Sequence, residues 1–463
     1  MSGNEDKPLQ PNQEAFWKAY LFSLKNVILP EPSQDTLFFP APQNTVGVLA
    51  GASPKEVTNY GVYRWCDGVL SPTDPLYSGT GKGSYILNLQ EYLNYVDPGG
   101  NPDPGTMNDY IQKIELARQA KEGYIHELQQ AVEMHKADPG TYPTLEEWAT
   151  ENDPSLLAAK QAWQDAVGAQ SALCREVYGE QAGPLNTATQ NIMNALSTSS
   201  QPGFNMPATM EDVELDEAQS LAIAQGEKVK FPPYTVTYVP TYSVGGGYKS
   251  TIATWCRQMT EKTLEPLAIK IDIESYGNTD WEQAGFTQVN GEGFVGFFIG
   301  AFATYSRRDE FEKTFNTMTA KDFTCTLTVY GWENFPLEGG RWDVPDVTHI
   351  FPNLREDAPK SMMSLIRPSA VAVAYTIGME VTFEDQFATE FNSHFKSIEE
   401  EEGGFTIFGI DIGLGGKRTS QTETTSHKAT YDSQSGTLTV IPNNDGHAVL
   451  LGVVGNKLGE PKE

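Results

Sequence analysis

The sequence predicts an α+β protein: a helical hairpin or bundle followed by a duplicated, mainly antiparallel β region with sandwich character. Three observations carry this. Apolar residues recur at intervals of three and four between Met107 and Leu196. After residue 233 the period changes to two. Finally, Gly293 to Val329 lies without a gap over Gly404 to Val440, with twelve of 37 positions identical; chance would give roughly two or three. The identities include Gly293/Gly404, Phe297/Phe408, Arg307/Arg418 and the closing Thr326-Leu-Thr-Val329 over Thr437-Leu-Thr-Val440.

Taken in order, Ala15 to Val27 carries Phe16, Ala19, Tyr20, Phe22 and Leu24, a short helix that Pro30 and Pro32 break. Thr36 to Gly83, rich in Gly, Pro and aromatics, reads as irregular structure with short strands. Tyr85 to Tyr95 places Ile86, Leu89 and Leu93 on one side of a helix, stopped by the Pro- and Gly-rich residues 97–105. Met107 to Lys136 runs thirty residues without proline, with Ile111, Ile114, Ala117 and Leu128 as its stripe. Thr144 and Glu147 form a capping box. Asp153-Pro154 opens a helix that reaches Tyr178, with Asp as N-cap and Pro at N1. Leu185 to Leu196 adds another. The division expected is a mixed segment 1–106, a helical hairpin or bundle 107–196, a linker 197–233 and a β region 234–463, with units at about 264–345 and 367–455. Within it, Tyr234–Val239, Ala268–Ile273, Cys325–Tyr330, Val371–Tyr375, Met379–Phe383 and Gly436–Ile441 read as strands.

Charge bounds the function. Lys plus Arg number 32 against 61 Asp plus Glu, a formal charge of −29. Such a surface repels phosphate backbones, so no nucleic-acid partner is expected. The N-terminal residues lack the basic and apolar regions of a secretory signal, and no apolar run reaches the ~20 residues of a membrane-spanning helix. Four widely separated cysteines make no C-x-x-C pair and fit a reducing cytosol, so a cytoplasmic protein is expected.

The motifs name no reaction. Tyr77-Ser-Gly-Thr-Gly-Lys-Gly-Ser84 has Leu76 where a phosphate loop needs its first Gly and Gly83 where it needs a hydroxyl. Gly291 to Gly296 has dinucleotide spacing but no strand before it. The six histidines are scattered, and no cofactor or metal is expected. Asp272 alternates with isoleucines, and Glu380 reads as its repeat partner; meeting across a pseudo-twofold axis, the two would share a proton or a cation. Phe294, Phe297, Phe298 and Phe302 read first as core, and otherwise as a partner or membrane contact. The Ser/Thr-rich segments after each Gly-Phe run, among them Thr324, Thr326 and Thr328, resemble strands that pore-forming proteins hold in reserve. The leading expectation is a non-catalytic protein that binds a partner or assembles with itself through the β region. A membrane-active, pore-forming protein is the second reading, and a cofactor-independent enzyme with a pocket between the β units is the third.

Overall fold

A computed structural model describes residues 11–30, 33, 35–41, 48–49, 51–77, 83–97, 104–137, 145–179, 182–197, 201–209, 215, 217–231, 236–287, 289, 298–302, 305–414 and 427–459. The N-terminal half forms α1 (Pro11–Ile28), β1 (Thr36–Pro40), β2 (Val48–Leu49), α2 (Lys55–Cys66), α3 (Tyr85–Tyr95), α4 (Pro104–Ala137), α5 (Leu145–Asn152), α6 (Pro154–Tyr178), α7 (Ala182–Leu196), β3 (Asn205–Thr209) and α8 (Glu217–Ala224). Then come β4 (Val236–Pro240), β5 (Tyr242–Val244), α9 (Tyr248–Thr260), β6 (Pro266–Lys270), α10 (Ile273–Tyr276), β7 (Ile299–Ala301), α11 (Arg308–Phe315) and β8 (Phe323–Gly339). The chain ends with α12 (Val347–Ile350), β9 (Ile366–Phe383), α13 (Asp385–Glu400), β10 (Gly404–Ile407), β11 (Ile410–Gly413), β12 (Lys428–Asp432), β13 (Thr437–Ile441) and β14 (His447–Lys457). This is the α+β, mainly antiparallel architecture that the sequence predicts.

The helical hairpin follows from a seven-residue repeat. On α4 the buried side chains are Tyr110, Ala117, Tyr124 and Ala131; on α6 they include Leu156, Trp163, Gln170 and Val177. Such spacing holds one seam against a partner helix. Tyr124 stacks on Trp163 at 5.1 Å, and Tyr110 meets Tyr178 edge-on at 5.6 Å. The alanines between the tyrosines let the backbones approach. Asp153 caps α6 as expected, accepting from the Leu156 amide at 3.1 Å, with Pro154 at the first position. Ile111, placed in the stripe by its spacing, is exposed instead, because the seam turns on Tyr110.

One strand pair organises the large sheet. β8 and β9 run antiparallel from Phe323↔Phe383 to Pro336↔Ala370. The other edge of β9 carries β14 along its first half and β13 along its second. The other edge of β8 carries β5 and β6. β14 pairs with β1 and β2, and β13 with β12. Two strands were expected where β9 is a single one: Thr376-Ile-Gly378 is buried and contains no turn, and Gly378 lets the Val440 carbonyl lie 3.1 Å from where a Cβ would sit. The strand expected over Ala268–Ile273 ends at Lys270, since Asp272 turns away to cap α10.

Side chains along the central pair serve two cores. Val371, Val373 and Tyr375 enter the first, with Phe335 and Leu337 of β8. Ala372 and Ala374 enter the second, and so do Ile377, Met379, Val381 and Phe383. The parity facing the second core therefore switches from even to odd beside Gly331, which has φ +60°. Helix α1 sends apolar side chains to both cores: Leu21 and Phe22 join the first, while Phe16, Trp17, Tyr20 and Leu24 join the second.

The repeated segments occupy matching places. Lys270 pairs with Thr326 as Thr382 pairs with Thr437. Beyond each pair, the Ile271 amide donates to the Cys325 carbonyl at 2.9 Å, as the Phe383 amide donates to the Gly436 carbonyl at 3.0 Å. The strands lie in the order β6-β8-β9-β13. The two units are thus related by a shift along one sheet, in place of the expected twofold. In this register Asp272 corresponds to Glu384 at the N-terminus of α13, and Glu380 corresponds to Ala268.

Gly331 gives a direct test of the parity switch. A Cβ there would sit 2.6 Å from the Trp255 ring, in a backbone conformation that favours glycine. Gly331→Ala is expected to lower stability by about 2 kcal/mol or more, read from the shift in urea midpoint at unchanged m-value.

Candidate interaction surface

Past the parity switch, Thr324, Thr326 and Thr328 of β8 and Glu380 and Thr382 of β9 lose their cover, while Thr376 and Gly378 stay buried. The register sets the uncovered positions in rows with the outward side chains of β6, β13 and β12. The first row is Ala268 and Thr328 with Ile441 and Lys428, interrupted by the buried Gly378, beside which Pro442 packs. The next is Lys270, Thr326, Glu380, Thr439 and Thr430, and the third is Thr324, Thr382, Thr437 and Asp432. Threonine suits this position because its branched Cβ favours the strand and its hydroxyl tolerates water. Thr382 and Thr437 share a hydroxyl hydrogen bond across the strands at 3.0 Å. Behind the face, Leu327, Met379, Val381 and Leu438 are buried in the second core.

The charges on this face balance. Lys270 and Lys428 stand against Glu380 and Asp432 on a chain whose net charge is −29. Asp432 accepts from the Gln434 amide at 2.9 Å and from the Ser435 hydroxyl at 2.8 Å, which hold its carboxyl below the usual range. Lys270 and Glu380 flank Thr326 on opposite sides, two strand spacings or roughly 9–10 Å apart. Ile441, at 43% exposure, is one of the few large apolar side chains in water.

Both edges of the patch are blunted. β6 begins with Pro266 and ends with Lys270; β12 runs from Lys428 to Asp432; each has five residues. Short edges carrying proline and charge resist strand addition. Contact through the face is therefore favoured over contact through the edge.

The residues singled out from the sequence fall differently. Asp272 and Glu380 do not form a pair: β8 lies between their strands, and Asp272 accepts from the Ser275 amide at 3.0 Å as the cap of α10. Phe298 is 3% exposed and stacks on Phe16 at 4.0 Å. Phe302 is half-buried against Gly404, to whose carbonyl its amide donates at 2.9 Å. Phe294 and Phe297 lie outside the described residues. Trp342 is buried, its indole N–H donating to the Thr241 carbonyl at 3.0 Å. The Thr-x-Thr-x-Thr of β8 was visible as a pattern; the importance of Lys270 was not, because only the register sets it in a row with Glu380.

One carboxyl raised by burial lies outside this face. Asp67 follows α2 and is fully buried. Its carboxylate accepts from the Ser84 hydroxyl at 2.6 Å, the Tyr242 phenol at 2.8 Å and the Ile86 amide at 3.1 Å. Ser84 in turn caps α3. Nearby, Arg367 forks onto Asp343 at 2.6 and 2.9 Å, and the Tyr85 hydroxyl lies 3.4 Å from the same carboxylate. Burial pushes Asp67 up to about 6, with the hydrogen bonds opposing. Its donors come from two separate chain segments, so the group ties the end of α2 to α3 and β5. All four cysteines are buried and free. Among the described residues, no cluster of three or more His, Cys, Asp or Glu is arranged to hold a metal.

No protein-family model matches the chain, and neither a curated protein nor a solved structure matches it.

Asp67 makes stability depend on pH with a definite sign. Its folded value exceeds the ordinary 3.8, so the folded state holds the proton to higher pH than the unfolded chain. The associated stability is full below about pH 4 and is lost as pH rises to about 6, by up to about 3 kcal/mol. The stability difference between wild type and Asp67→Asn should shrink by that order between pH 4 and pH 7, as measured by urea unfolding at several pH values.

Proposed function

We propose that this chain is a non-catalytic protein that assembles with a second copy of itself through the threonine-rich face of β6, β8, β9, β13 and β12. The observation that carries the reading is the charge-balanced, exposed sheet face on a chain of net charge −29. Elsewhere two copies repel each other; at this face the repulsion is least. The register supplies the complementarity. A twofold axis lying along β8 sets Thr326 against its own copy, Lys270 of each chain under Glu380 of the other. Two equivalent ion pairs result, as an isologous contact requires.

The face is small. About this axis the overlap is confined to β6, β8 and β9, three strands by about five residues, roughly 14 by 17 Å or about 250 Å² in projection. A standard interface takes about 800 Å² a side, so the association is weak and reversible. The matching placement of the repeated strands supports a duplicated origin for the β region. The buried, unpaired thiols fit a reducing compartment such as the cytosol.

Charge reversal tests the pairing. In sedimentation velocity across a concentration series, the wild type should shift from monomer to dimer. Lys270→Glu and Glu380→Lys should each weaken the dimer at least tenfold by facing like charges, and the double variant should recover most of the loss. A wild type that stays monomeric at every concentration, or single variants that dimerise as well as it does, would sink the reading.

A further inference from the structure

On the opposite side of the same sheet, helices α11 and α13 cover the second core with a layer of rings. Phe311, Phe315, Phe391 and Phe395 pack there against Phe383 and Phe405. One member of the layer is polar. His394 on α13 is 0% exposed, edge-on to Phe311 at 5.3 Å and Phe315 at 6.2 Å. Its Nδ1 shares a hydrogen bond with the Tyr305 hydroxyl at 2.9 Å. Its Nε2 is buried and has no partner among the described residues.

We propose that His394 is a proton-sensitive latch: acid opens the α11–α13 layer and uncovers the phenylalanines beneath it. A neutral imidazole needs only the Tyr305 contact. An imidazolium carries N–H on both nitrogens, and the second is then buried among aromatic rings, which are weak acceptors. Three charged groups face the site: Arg307 and Glu310, from the start of α11, and Glu390, one turn back on α13. Arg307 forks onto Glu310 at 2.7 and 2.8 Å, so that carboxylate is already engaged. Burial and Arg307 disfavour the charged ring, and Glu310 and Glu390 oppose them.

The sign follows. In the opened layer His394 takes a proton with its ordinary value near 6.5, while in the closed layer it does so only at lower pH. Closure is at full strength above that value and weakens as pH falls through it. At pH 5.0 the opening equilibrium rises by up to about thirtyfold relative to pH 7.5.

Hydrogen–deuterium exchange at pH 7.5 and 5.0, corrected for the intrinsic pH dependence of exchange, reads this directly. Peptides spanning 305–315 and 385–400 should open up to about thirtyfold more readily at pH 5.0, while peptides from α4 and α6 should not. His394→Phe fits the aromatic surroundings and should abolish the difference. His394→Gln gives the same readout should the first variant fold poorly. Acceleration that persists in the variants, extends equally to α4 and α6, or is missing from the wild type overturns the proposal.

Discussion

The pairing of β8 with β9 is the constraint on which the rest of the structure depends. A strand pair this long cannot present one face to one core along its whole length. Its first half has apolar groups on both sides, with the two alanines Ala372 and Ala374 facing one core and Val371, Val373 and Tyr375 the other. Past Gly331 one side is released to water. The exposed face exists because the cover ends there, and the α11–α13 layer exists because the other side still needs burying. Surface and aromatic layer are two faces of one stretch of sheet.

Acidity gives that arrangement its meaning. A surplus of carboxylates keeps copies of a chain apart and soluble. Against such a background, a patch where lysines match carboxylates is selective by contrast, without any strong contact of its own. The blunted edges at Pro266, Lys270, Lys428 and Asp432 work in the same direction. They discourage open-ended strand pairing, in keeping with the closed two-copy contact we propose.

Much of this was legible in the sequence, for reasons that can be named. Helices α3, α4, α6 and α7 announce themselves through period and caps, since Asp153-Pro154 and the apolar spacing of three and four are local signals, although the seven-residue seam through Tyr110 and Tyr124 was not read from them. The T-L-T-V strands are equally local. By contrast β14, with Ala448 to Val454 buried on both faces, offers no alternation and passes unread, as doubly covered strands do. The union of Val371–Tyr375 with Met379–Phe383 into one strand depends on neighbours that fill the gap around Gly378. The juxtaposition of Lys270 with Glu380 needs a register across three strands, and no single strand encodes it. Asp67 gives no local warning either: its donors at Ser84, Ile86 and Tyr242 come from distant parts of the chain.

The N-terminal elements have a consequence for how the chain reaches this state. β1 pairs with β14, Thr36 opposite Asn456, so two strands 420 residues apart in sequence must find each other. Helix α1 packs against both cores, of which the second is built largely from the C-terminal half. Contacts of such sequence separation close large loops before they return any stabilisation, and they slow folding. The helical hairpin, whose seam is local, is able to form during synthesis. The sheet closes only when both partners of these pairings are present, and until then the apolar side chains of α1 and β1 lie exposed.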